Sequence, residues 1–166
     1  MITFLKPVDA GTWLATHFGD IPLPNATSVT WRVPSDSGRK TALARALLAL
    51  IDDGNDASEA ALVITGHGVW PSSENPTLFD GYRQSLGEAR PVDEVPGHIF
   101  CSSDHTHIEG LLDLILYFAW DAVLTHPNSK LFVALSHDEA LTVHSVDKSG
   151  VDDATALLSP ICGQPI

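Results

Sequence analysis

The longest apolar run in this chain, the ten residues Leu111 to Trp120, is broken only by Asp113. Joined to the residues before it, from Thr106 onward, it reads as a helix to about Phe118 that is apolar on nearly all sides, with Asp104 placed to cap it. Such a helix cannot lean on a core by one stripe. It must be surrounded, so the rest of the fold has to be built around it. The run is also far short of the roughly 20 apolar residues that a membrane-spanning helix needs, which places it in a protein interior.

The flanking sequence supplies the surroundings. Trp13, Leu14 and Phe18 suit a short amphipathic helix. Val29–Val33 alternates like a strand and is ended by Pro34. Ser35 or Ser37 can cap a following helix in which Leu43, Leu47, Leu50 and Ile51 share a face, with Gly54 as its stop. Ala60–Thr65 is continuously apolar, as an interior strand is. A helix starting near Ser73, with Pro76 in its first turn, would bury Leu78, Phe79, Tyr82 and Leu86. Short strands are expected at His98–Cys101 and Asp121–Thr125. Leu131–Leu135 and Leu141–Val146 read as a C-terminal hairpin turning at Ser136–Ala140, and the stretch after about residue 150 as a peripheral tail. The Pro/Gly-rich stretches at 21–26 and 90–97 are short enough to be loops. The expected fold is a single α/β or α+β domain, residues 1–166, with a mixed sheet and flanking helices.

The charge is one-sided. Twenty-one acidic residues oppose nine basic ones, for a net charge of −12. Residues 1–50 hold only Asp9, Asp20 and Asp36 against Lys6, Arg32, Arg39, Lys40 and Arg45; in 51–166 the only bases are Arg83, Arg90, Lys130 and Lys148. With 44% hydrophobic and 18% charged residues, this acidity is carried on a globular chain and not a disordered one. Such a field repels nucleic acid and anionic membranes and attracts basic proteins. The first residues are too short an apolar stretch for a secretory signal, and Cys101 and Cys162 form no CxxC motif. A cytoplasmic protein with reduced thiols is the expectation, a single disulfide being the other option.

Several segments invite a chemical reading. Ser37-Gly-Arg-Lys-Thr41 lies between a strand and a helix but lacks the GxxxxGK[ST] spacing by which backbone N–H groups close around phosphate, so no nucleotide is expected there. The same helix start places two bases where the macrodipole disfavours them, and Asp52 and Asp53 stand at its other end. Asp104-His105-Thr-His107-Ile-Glu109, with His98 nearby, is the metal candidate. An HxH pair shares a face only when extended; on a helix the two rings point roughly 200° apart. His67, between two glycines, could serve as a general base for Cys101, without an identifiable third group. No cofactor, metal or catalytic residue is assigned.

Trp70-Pro-Ser-Ser-Glu-Asn-Pro and its helix, Pro96-Gly-His-Ile-Phe100, Trp120-Asp121 and Phe132-Val-Ala-Leu-Ser-His-Asp138 together resemble a group of small uncharacterised bacterial proteins, over roughly residues 60–146. The resemblance implies a compact cytosolic bacterial domain and carries over no catalytic residue. In size, acidity and missing catalytic set the chain is also similar in character to immunity proteins, which neutralise toxins of neighbouring bacteria. The resulting expectation is an acidic binding protein that blocks a basic toxin such as a nuclease. Asp93, Glu94, Asp104, Glu109, Asp138 and Glu139 are the candidate contacts, with exposed aromatics as anchors. The alternatives are a metal-dependent hydrolase using His105, His107 and Glu109, or a domain whose acidity only keeps it in solution.

Overall fold

A computed structural model describes residues 1–19, 26–55 and 57–166. The loop expected at 21–26 lies, except for Ala26, outside the described residues. In chain order the elements are β1 (Thr3–Leu5), α1 (Pro7–Phe18), β2 (Thr27–Arg32), α2 (Ser37–Ile51), β3 (Ala60–Gly66), α3 (Pro76–Ser85), β4 (Gly97–Phe100), a 3-10 turn (Ser102–Asp104), α4 (His105–Phe118), β5 (Asp121–His126), β6 (Leu131–Ser136), β7 (Ala140–Ser145) and α5 (Lys148–Cys162). The strands form one sheet in the order β1-β4-β3-β5-β6-β7-β2.

Every neighbouring pair in that sheet is antiparallel, so the fold is an α+β single domain and the mixed sheet expected from the sequence is corrected. The alternation of strand and helix does join strands of like direction: β2 to β3 through α2, and β4 to β5 through α4. Yet β3 is inserted between β4 and β5, and three strands separate β2 from β3. No two like-directed strands become neighbours. The insertion depends on contacts distant in sequence, which local patterns do not encode.

One face of the sheet carries α2, α3, α4 and α5, whose apolar residues join Trp31, Leu62, Leu124, Val133 and Val143 in the main core. The helix α4 is central, as its composition demands: Ile108, Leu111, Leu112, Ile115, Leu116 and Phe118 are all buried, and it packs against both α2 and α3. On the other face, α1 sets Ala10, Trp13 and Leu14 against Ala61, Val63 and Ile99. The segment expected as a peripheral tail is instead α5, which buries Val151, Ala154 and Leu158 against the sheet beside β2 and β7. The hairpin β6–β7 is therefore followed by a helix and does not end the chain.

The reversed charges of α2 have an internal explanation. Lys40 is buried, and its ammonium donates to the carbonyl of Leu116 at 2.8 Å, in the last turn of α4. Arg39 donates to the carbonyl of Ile161 in the last turn of α5. Two bases at one helix start thus serve the electronegative ends of two neighbouring helices, each contact worth up to about 2 kcal/mol in partly buried settings. At the other end of α2, Asp52 accepts from Ser102 Oγ at 3.0 Å and Asp53 from Asn128 Nδ2 at 2.8 Å. The cap of α2 is Asp36, not Ser35 or Ser37: its Oδ1 accepts from Arg39 N at 2.9 Å. Asn75, not Ser73, caps α3 in the same way at 3.0 Å, and Leu78 is exposed while Phe79 takes the core position.

Candidate functional site

Antiparallel pairing brings together residues far apart in sequence. At one end of the sheet β3 stops at Gly66, β6 stops at Ser136, β5 begins at Asp121 and β7 begins at Ala140. The last turn of α4 closes nearby, because Ala119 leads directly into β5. This open end gathers His67, Trp70, Glu74, Trp120, Asp121 and His137. All but His67 lie in three of the segments that carry the resemblance to small bacterial proteins, and hydrogen bonds join those three segments.

Glu74 organises the end. Its carboxylate accepts from Gly68 N and Trp70 N, both at 2.6 Å, and from the indole N–H of Trp120 at 2.8 Å. Burial alone would raise its pKa, but these donors outweigh it and hold the group below the ordinary carboxylate value. Asp121 Oδ1 accepts from His137 N at 2.7 Å and lies 2.9 Å from His137 Nδ1. The hydrogen bond and charge of Asp121 raise the His137 pKa. Gly66 is required beside this pair, since a Cβ there would sit 2.7 Å from Asp121 Oδ2. Trp70 Nε1 donates to the His137 carbonyl at 3.3 Å, and His67 Nε2 lies 2.6 Å from Asp93 Oδ1.

Beside these residues runs a groove of about 460 Å³ lined by Trp70, Ser73, Tyr117, Ala119, Asp138 and Glu139. Trp70 is 49% and Tyr117 64% exposed, unusual for large aromatics. Lys40 stands close by, 3.9 Å from Glu139 Oε1 and 6.0 Å from the Tyr117 ring centre. Ala119 (φ 52°) and Glu139 (φ 56°) both have left-handed backbones, a conformation that costs a non-glycine residue roughly 1–2 kcal/mol. Glu139 follows a turn in which its N–H bonds the Ser136 carbonyl at 3.0 Å, the position where a three-residue hairpin loop favours glycine. Lys130 (φ 52°), in the β5–β6 turn at the other end of the sheet, has the same conformation.

The six candidate contacts do not share one surface. Asp93 and Glu94 are exposed on the segment before β4, and Asp138 and Glu139 on the β6–β7 turn, all at the open end. Glu109 is bonded to Arg45 Nε at 2.7 Å and lies ten residues before Ala119, about 15 Å along α4. Asp104 is buried, accepts from the Met1 ammonium at 3.0 Å and from Cys101 N at 3.4 Å, and makes no cap bond to α4. It is unavailable to a partner.

The other chemical candidates fall apart spatially. His105 and His107 both lie in α4, so their rings diverge by roughly 200°. His98 is fully buried in β4, and its pKa is pushed down to about 3, first by desolvation and then by Arg83. Among the described residues no group of three or more His, Cys, Asp or Glu is placed to hold one metal ion. Cys101 follows β4, whose Phe100 pairs with Ala60, whereas His67 lies beyond the far end of β3; the two are about 20 Å apart. Lys40, the base of the phosphate-loop-like segment, points into the helix layer. No helix among the described residues is long and apolar enough to cross a membrane. Compared with protein families, curated proteins and solved structures, the chain matches none.

Proposed function

We propose that this chain is an acidic binding protein that neutralises a basic toxin, such as a nuclease, in the cytoplasm, the role of an immunity protein. The observation that supports the reading is the open end itself: exposed Trp70 and Tyr117 stand beside the outward carboxylates Asp138 and Glu139 around one groove. Aromatics of this kind are the anchors of protein interfaces, and carboxylates around them steer a positive partner. A nuclease must be positive where it grips phosphate, so that surface is the natural complement of a chain carrying −12. The same charge opposes direct binding of nucleic acid.

The test is inhibition. Purified protein is mixed at increasing ratio with each basic nuclease toxin encoded beside its gene, and cleavage is followed. Activity should fall to zero at a fixed molar ratio for one of them, and co-expression should rescue growth. Undiminished cleavage by every such toxin would reject the reading.

A further inference from the structure

We infer that the groove between Trp70 and Tyr117 receives one arginine side chain of the basic partner. The inference rests on the proposed binding role and narrows it to a single anchoring contact.

The groove is too small for a folded element and has room for an extended side chain. Its walls supply two exposed aromatic rings and its rim supplies Asp138, whose side chain is 78% exposed. A guanidinium is planar and weakly hydrated, stacks on aromatic faces, and offers parallel N–H donors to a carboxylate. An ammonium does none of these as well. Lys40 already serves Glu139 and lies 6.0 Å from the Tyr117 ring centre, which leaves Asp138, on the Trp70 side, as the carboxylate for the guanidinium. Lys40 lies 3.9 Å from Glu139 Oε1 and His137 Nε2 3.8 Å from Asp138 Oδ1, so each carboxylate has one cationic neighbour. Asp121 and Glu74, just beneath, leave the site negative even with His137 protonated.

The experiment is a nuclear magnetic resonance titration of the full chain with N-acetyl-arginine amide, and separately with N-acetyl-lysine amide, in physiological salt. Arginine amide should give saturable shifts confined to the Trp70 indole and the amides of 136–139, with affinity about five-fold above that of lysine amide. Trp70→Ala, Tyr117→Ala and Asp138→Asn should each weaken it about five-fold, with unchanged far-ultraviolet circular dichroism as the check on folding. Asp152→Asn/Asp153→Asn, exposed on α5, removes two charges elsewhere and should leave it unchanged. Equal affinity for the two amides, shifts spread over the whole acidic surface, or full affinity in the Trp70→Ala and Tyr117→Ala variants would overturn the inference. The probe is a single amino-acid derivative, so this outcome is independent of whether any toxin is inhibited.

Discussion

The two ends of the sheet differ in the acidic residues they leave facing solvent: the open end has structural carboxylates too, Glu74 and Asp121, but sets others outside them. At the end where β3 and β6 begin, Asp52, Asp53 and Asp104 are bonded into the fold. Asp53 accepts from Asn128 Nδ2 and Asn55 N and is held down to about 2, the side-chain bond to Asn128 being the main cause. Asp52 holds Ser102, and Asp104 holds Met1 and Cys101 N. At the open end Asp93, Asp138 and Glu139 point outward, with histidines or a lysine as their ionic neighbours. Net charge counts both sets alike; only the second can act on a partner. The contrast teaches that an acidic composition has to be divided into structural and available carboxylates before it says anything about binding.

The largest test of this division is Arg83. It is fully buried, and it donates to Asp80 Oδ1 at 3.2 Å and to the carbonyls of Arg90 and Val95 at 3.0 and 2.5 Å. It is thus the interior charge that fastens the segment carrying Asp93 and Glu94. Arg83→Met should cost about 3 kcal/mol in chemical denaturation, because two carbonyls and a carboxylate lose their donor. Its stability remaining within about 0.5 kcal/mol of wild type would show that the open end is not framed from the interior.

A smaller effect of opposite sign is expected at Glu139. Glu139→Gly relieves the left-handed backbone and should raise stability by about 0.5–1 kcal/mol, while weakening inhibition of the partner. Stability and inhibition falling together would mean that Glu139 belongs with the structural carboxylates.

Much of this fold was legible. The strands at 60–66 and 131–136 and the central helix α4 follow from apolar runs, and the strand at 121–126 from a short extended piece. The β6–β7 turn followed from the polar stretch Ser136–Ala140 between two strand-like segments. The three-residue strand β1 left no periodic signal. The helix α5 was hidden by Gly150, Asp152, Asp153 and Pro160, although Val151, Ala154 and Leu158 keep the helical spacing of a buried stripe. At the site, the outward position of Asp93, Glu94, Asp138 and Glu139 agrees with their polar loops. The roles of Glu74 and Tyr117 were not legible. Glu74 binds a tryptophan 46 residues away, and Tyr117 sits in the most apolar helix of the chain yet faces solvent. The pairing of Asp104 with the Met1 ammonium, 103 residues away in sequence, was likewise not legible.

The central claim is that the open end steers a basic partner, and association kinetics test it most directly. Wild type, Asp93/Glu94→Lys and Asp138/Glu139→Lys would be compared against the inhibited nuclease by stopped-flow at low and high salt. Asp93/Glu94→Lys should leave stability within about 1 kcal/mol, because exposed charges contribute little to folding. Asp138/Glu139→Lys also sets a second ammonium beside buried Lys40, so its rates are compared at equal concentration of folded protein. At least one reversal should slow association about ten-fold at low salt and much less at high salt, where ions screen beyond roughly 3 Å at 1 M. Identical association rates for all three proteins across the salt range would contradict the claim.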